Sequence, residues 1–180
     1  MRILDDATTF TKVNKTQLIQ AVGVVKLDNE TCLLRYYTDD DGFFQFALEG
    51  GMTENHVVDG KLYFFYDTVG VGSQSEWNRL IEEAISQPAY SINGTSFDRL
   101  WRTSGEHNPP VAMTEKTYSE SGTSSETDQF VMLYERNANS NVIEYLMVSG
   151  EERLLGNNTD RCLVTSTGID ISLSDFTIIS

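Results

Sequence analysis

Basic residues are scarce in this chain of 180: 13 Lys plus Arg stand against 27 Asp plus Glu, a net charge of −14. Such a chain repels phosphate backbones and anionic headgroups, which argues against a nucleic-acid-binding role. Histidine is scarcer still. His56 and His107 are the two present, too few for a multi-histidine metal centre. Cys32 and Cys162 are the two cysteines; they cannot build a disulfide framework and are expected as reduced packing residues. No apolar run approaches the roughly 18 residues of a membrane-spanning helix. Asp5 and Asp6 fall where a signal peptide would carry its apolar stretch. The expectation is a soluble, cytoplasmic protein. G-x-S-x-G, H-E-x-x-H and C-x-x-C are also missing, so no reaction class is fixed and no cofactor is implied.

What is present is enough to fold. Leu, Ile, Val and Phe make up about a quarter of the residues, above the roughly 20 per cent below which a highly charged chain tends to stay disordered. The length suits a single domain over 1–180 with a sizeable core. The stretch SESGTSSETD, 119–128, has no apolar residue and is expected as a mobile Ser-rich loop, because it can bury nothing to offset its ordering entropy.

One amphipathic helix stands out in SQSEWNRLIEEAISQP. Ser73 and Glu76 have capping-box spacing, and Trp77, Leu80, Ile81, Ala84 and Ile85 form one apolar stripe before Pro88. KTQLIQAV (15–22) and SFDRLW (96–101) are weaker helical candidates. GVVKL, CLLRYYT, FFQFAL, KLYFFYD, VAMTEKTY, QFVMLYER, NVIEYLMV and CLVTST read as strands, rich in β-branched and aromatic residues and punctuated by Gly, Asn and Asp. Their close spacing favours antiparallel hairpins. VMLY (131–134) and YLMV (145–148) lack polar alternation and should be covered on both faces. The expected fold class is therefore α+β, dominated by antiparallel sheet, with one clear helix and one or two short ones. One helix cannot cover so many strands, so two packed sheets, a partly closed barrel or a partner subunit in a homodimer must supply the cover.

Each candidate site competes with a plain structural explanation. In TDDDG, aligning Gly42 with position 6 of an EF-hand loop puts Asp39 and Asp41 at positions 3 and 5. Tyr37 and Leu48 then occupy the essential ends, so a metal site is rejected in favour of a hairpin turn, with Gly supplying positive φ. GVGSQS matches two glycines of a phosphate-binding loop, Gly70 and Gly72, but has Ser75 at the third position and no following lysine. Glu82–Glu83 and Glu151–Glu152 are adjacent acids, and carboxylate pairs can hydrolyse glycosides; the first pair reads as a solvated helix face. In DRLWRTSGEHNPP, His107 with Glu106 and Arg102 are the weak suspects for acid–base chemistry. YERN and IEYL should form a hairpin that brings Glu135, Arg136 and Glu144 together.

FVMLYERNANSNVIEYLMVSGEE and GIDISLSDFTII, with RYYTDDDGFFQFALEGG and FDRLWR before them, resemble the uncharacterised YjfK-like family of bacterial proteins. That family is known as a domain of unknown function, so the resemblance carries over no catalytic residues. It implies a bacterial cytoplasmic accessory role, with polyamine or envelope-stress links. The leading expectation is a non-catalytic binding or accessory module whose acidic charge suits a basic protein or a polyamine. The alternatives are an enzyme whose site converges near His107 and a self-assembling structural protein.

Overall fold

The computed structural model describes residues 8–9, 16–100, 107–139, 141–156 and 158–179. The chain lays down two antiparallel meanders. The first is β1 (Ile19–Lys26), β2 (Thr31–Thr38), β3 (Gly42–Glu49) and β4 (Val57–Gly70). The second is β7 (Val111–Ser119), β8 (Ser124–Asn139), β9 (Val142–Leu155) and β10 (Asn158–Asp170). Between them come the helix α1 (Gln74–Arg79) and a hairpin of β5 (Ala89–Ile92) and β6 (Thr95–Arg99).

Antiparallel seams join the meanders twice, β1 to β7 and β4 to β10, while β8 pairs with β9 within the second. The eight strands thereby close into a barrel, which leaves no free edge among them. Closure replaces the two-sheet alternative, because each meander is the other's edge partner rather than its facing layer. All eight strands expected from the sequence are present, several longer than expected.

Side chains alternate between the lumen and the outer wall. Phe43, Tyr63, Val131, Tyr145 and Met147 form one buried cluster inside. Met132, Tyr134, Leu146 and Val148 point outward and pack with Ile85, Ile92 and Phe97 from the helix and the β5–β6 hairpin. The double cover expected for VMLY and YLMV thus comes from within the chain.

Ser73 caps α1 as its spacing predicts: its Oγ accepts from Glu76 N at 3.2 Å and donates to the Glu76 carboxylate at 3.0 Å. The α-helix is short, however. From Leu80 it widens into a π turn to Ala84, with Ile85 N donating to Leu80 O, and its last carbonyls are taken by side chains. Arg99 Nη1 donates to Ser86 O at 2.7 Å and Tyr134 OH to Ile85 O at 2.6 Å. Trp77 meets Phe130 edge to face. The helix reaches the wall at Gly150, where a Cβ would lie 2.7 Å from Ile81 Cδ1 and 3.2 Å from Trp77.

Three expectations need correction. Within KTQLIQAV, Ile19–Val22 belong to β1, where pairing with β2 and β7 outweighs helical periodicity. Within SFDRLW, 96–99 are strand β6; Phe97 and Arg99 are buried and Ser96 and Asp98 exposed, a period of two. Within 119–128, Ser124–Asp128 form the start of β8, held by backbone pairing to β7 rather than by apolar burial, and the turn spans only 120–123. The short helices lie elsewhere, as single 3-10 turns at Glu54–His56 and Leu173–Asp175.

Gly150→Val should unseat the helix, destabilising the protein by about 1–3 kcal/mol, as overpacking does. Urea unfolding followed by tryptophan fluorescence checks this, and Gly150→Ala should fall between Val and wild type.

Candidate functional site: the polar mouth of the barrel

Antiparallel topology puts the β2–β3, β7–β8 and β9–β10 turns at one end of the barrel. Below them the lumen is polar. Arg35 on β2 and Glu115 on β7 form an ion pair at 2.8 Å, both almost wholly buried. Arg35 also donates to Gln129 Oε1 at 2.8 Å and Gln45 Oε1 at 2.9 Å. Glu115 accepts further bonds from Tyr37 OH and Gln129 Nε2, each within 2.9 Å. Burial works against the Arg35 charge, but Glu115 and Tyr37 more than offset it, so the guanidinium is held more firmly protonated than usual. Burial, reinforced by Glu115, likewise keeps Tyr37 a phenol, well above its ordinary range.

These two charges meet across β1, the strand lying between them. They can do so because Gly23 is there: a Cβ on it would fall 1.7 Å from Glu115 Oε1 and 3.2 Å from the Tyr37 ring. Above the network a cavity of about 250 Å³ opens toward solvent. Phe43, Phe65, Met147 and Val164 give it apolar walls; Ser149, Glu151 and Ser166 put polar groups into it. Among the described residues, the Oγ of Ser166, 1% exposed, has no hydrogen-bond partner.

Glu151 is the acid with least support. It accepts from Gln129 Nε2 at 3.2 Å and has the Ser149 hydroxyl beside it, and no ion pair with it exists among the described residues. Burial pushes its carboxyl above the usual range, and Glu115 adds to this against the pull of Arg35. Across the ladder lies Cys162, whose thiol burial, Glu151 and Asp160 push up to about 11, which makes it a poor nucleophile near neutral pH. The far end is closed by Lys61, which pairs with Asp59 at 2.8 Å and Asp170 at 3.0 Å and sits 4.5 Å above the Tyr145 ring.

Of the residues singled out from sequence, the described ones serve the frame rather than the mouth, Glu151 excepted. Arg102 and Glu106 fall outside the described residues. His107 is exposed, its Nδ1 3.0 Å from Ser86 Oγ. That hydroxyl is fully buried against the helix carbonyls of Glu82 and Glu83, so the pair braces the end of the helix. Asp39 spends a carboxylate oxygen on Leu18 N at 2.8 Å. In the same turn Asp41, not Gly42, carries positive φ, at 51°. Gly42 is already strand; its missing side chain makes room for Tyr63 O, which a Cβ would approach to 2.7 Å. Ser73, which follows Gly70 and Gly72, serves the helix cap. The Glu151–Glu152 pair is split by strand alternation. Glu151 enters the lumen, while Glu152 stays on the outer face, bonded to Arg161. Arg136 and Glu144 do meet as the hairpin predicts, at 2.5 Å, with Glu144 fully buried.

Arg35, Glu115 and Gln129 escaped sequence reading because they are distant in the chain, and Glu151 was legible only as half of an adjacent acid pair. Their signal was a charged or amide residue inside CLLRYYT, VAMTEKTY, DQFVMLY and VSGEERL, at the parity of the inward face.

Arg35→Met should cost about 3–5 kcal/mol, because it leaves Glu115 buried and unpaired, and adding Glu115→Leu should recover most of the loss; urea unfolding midpoints decide it. Glu151 titrates with the opposite consequence. Its folded pKa is raised, so the stability it contributes is complete below the unfolded value and lost as pH rises through the folded value. Glu151→Gln should therefore be more stable than wild type at pH 7 and show no such advantage at pH 4, measured by thermal melting at both.

The family described as Protein of unknown function (DUF2491) matches residues 1–177 of this chain. The Uncharacterized protein YjfK of Escherichia coli (strain K12) is 28% identical over 182 residues, covering 99% of this chain and 83% of that protein. No solved structure matches this chain.

Proposed function

We propose that this chain, which belongs to the family of unknown function DUF2491, is a non-catalytic binding module that takes a small polar ligand into the mouth of its barrel. The observation that carries the reading is the cavity itself, which combines apolar walls with a few convergent polar groups, the usual anatomy of a ligand site. At about 250 Å³ it sits just under the range for drug-sized ligands, which points to a small molecule or one end of a larger one.

Rigidity supports binding over chemistry. Every polar group of the Arg35–Glu115–Gln129 network is held by at least one other, on strands of a closed barrel, so the lumen is preorganised. The enzyme reading loses support, since His107 braces a helix end and the Cys162 thiol stays protonated. The homodimer reading loses its premise, since the central strands find their cover inside the chain. Among the described residues no helix is long and apolar enough to cross a membrane.

A panel of small polar fragments, screened by ¹⁵N–¹H NMR, tests the reading. Binders should shift the amides of Glu115, Gln129, Ser149, Glu151 and Ser166 together. Thr127→Trp, at the rim, should plug the mouth and abolish those shifts. Shifts scattered over the outer wall, or indifferent to the plug, would refute a mouth site.

A further inference from the structure

The two fully buried acids of the second meander, Glu115 and Glu144, each have an arginine, whereas half-buried Glu151 has no ion pair among the described residues. Glu115 has Arg35 at 2.8 Å. Glu144 has Arg136 at 2.5 Å and also accepts from Thr9 N and Oγ1. Glu151 has one amide, Gln129 Nε2, at 3.2 Å. Arg35 acts on it through space without pairing with it: its Nε and Nη1 donate to Gln45, Glu115 and Gln129, and no Arg35–Glu151 ion pair forms. Arg153, two residues farther up the same strand, also lines the cavity but is exposed at its outer end, opposite Asp160 in the ladder. A carboxylate facing a confined cavity without a counter-ion is stabilised by a cation or by a proton.

The remaining lining says which cation. The Ser149 hydroxyl is buried, lines the cavity two residues from Glu151 on the same lumen face and acts on its carboxyl; Ser166 Oγ, deeper in the same cavity, has no partner among the described residues. Tyr37, Phe43 and Phe65 wall another side, with ring centroids 5.3 to 6.4 Å apart. Among the described residues no group of three or more His, Cys, Asp and Glu could hold a metal ion, and one carboxylate beside hydroxyls and aromatic rings is a poor cage for a hard cation. It suits an organic cation with several N–H donors and an apolar stem. Aromatic faces favour such a cation as well, and the net charge of −14 would raise its local concentration.

We propose that the barrel mouth binds a primary ammonium group, which donates to the Glu151 carboxylate and to Ser149 Oγ while its aliphatic stem runs deeper into the lumen against Phe65 and Phe43. This rests on the mouth being a ligand site and names the class of ligand it selects. The two ideas fail separately, since a mouth that takes only neutral fragments would keep the first and lose the second.

The test compares n-butylammonium chloride with n-butanol, a neutral molecule of the same shape, by ¹⁵N–¹H NMR titration of the whole chain at constant ionic strength. The ammonium should give saturable shifts at Gln129, Ser149, Glu151 and Ser166, and the alcohol should bind at least ten-fold more weakly. Glu151→Gln, which keeps the size and one acceptor oxygen, should weaken ammonium binding at least ten-fold. Glu152→Gln removes an acid one residue away on the outer face and should leave it unchanged, which separates a site from general attraction to an acidic chain. Equal binding of the alcohol overturns the proposal. So does equal weakening by the two substitutions, or no saturable shift with the ammonium.

Discussion

The Arg35–Glu115 ion pair is the contact on which the barrel's interior depends. It joins β2 of the first meander to β7 of the second, passing over β1, which belongs to the seam between them. A buried ion pair gains little over apolar packing in net stability, because both charges must leave water. Its effect here is one of specification. Had β1 slipped by one residue against either neighbour, Gly23 would face outward and the side chain taking its place would occupy the position of the Glu115 carboxylate. The pair, the glycine and the register of two strand pairs are a single constraint, and Tyr37, Gln45 and Gln129 are oriented by it.

That constraint divides the lumen. Aromatic and aliphatic side chains fill the part around Phe43, Tyr63 and Met147, and Lys61 with its two aspartates closes the far end. A polar network cannot be packed as densely as such a core without orphaning some of its atoms, so the mouth keeps space where the rest does not. The outer wall follows the same economy of cover. β8 and β9 are apolar on both faces because the connection between the meanders returns across them as helix and hairpin. Gly150 sets how closely that connection can approach.

Most of the fold was legible and most of the site was not, for related reasons. Strand identity is local: CLLRYYT and FFQFAL announce themselves by residue type, and the expected eight are the eight that close. The helix was legible from its cap and stripe, though not its early widening at Leu80, which answers to tertiary contacts with Tyr134 and Arg99. The β5–β6 hairpin went unread although Asn93-Gly94 signals it; both residues have positive φ, 46° and 79°, the geometry that favours this pair in two-residue hairpin turns. SFDRLW instead suggested a helical turn. Closure was not legible, because which edge meets which depends on seams between residues about a hundred apart in sequence. The site depends on closure, so Arg35 and Glu115 could be seen as odd residues in apolar strands but not as partners.

The adjacent pair Glu151–Glu152 illustrates how completely the strand decides chemistry. The two side chains have the same composition and neighbouring backbone positions, yet alternation sends one into the lumen and leaves the other on the wall. Glu152 finds an arginine there, Arg161, which also lies 5.2 Å over the Trp77 ring, so its charge contributes to seating the helix. Glu151 finds the polar mouth, where the available guanidinium is already matched by Glu115. A carboxylate so placed costs stability in the empty protein, and a fold that keeps one there gains from it only when something else occupies the cavity. That asymmetry between two neighbouring glutamates is the strongest physical reason to regard the mouth as a site rather than a packing defect.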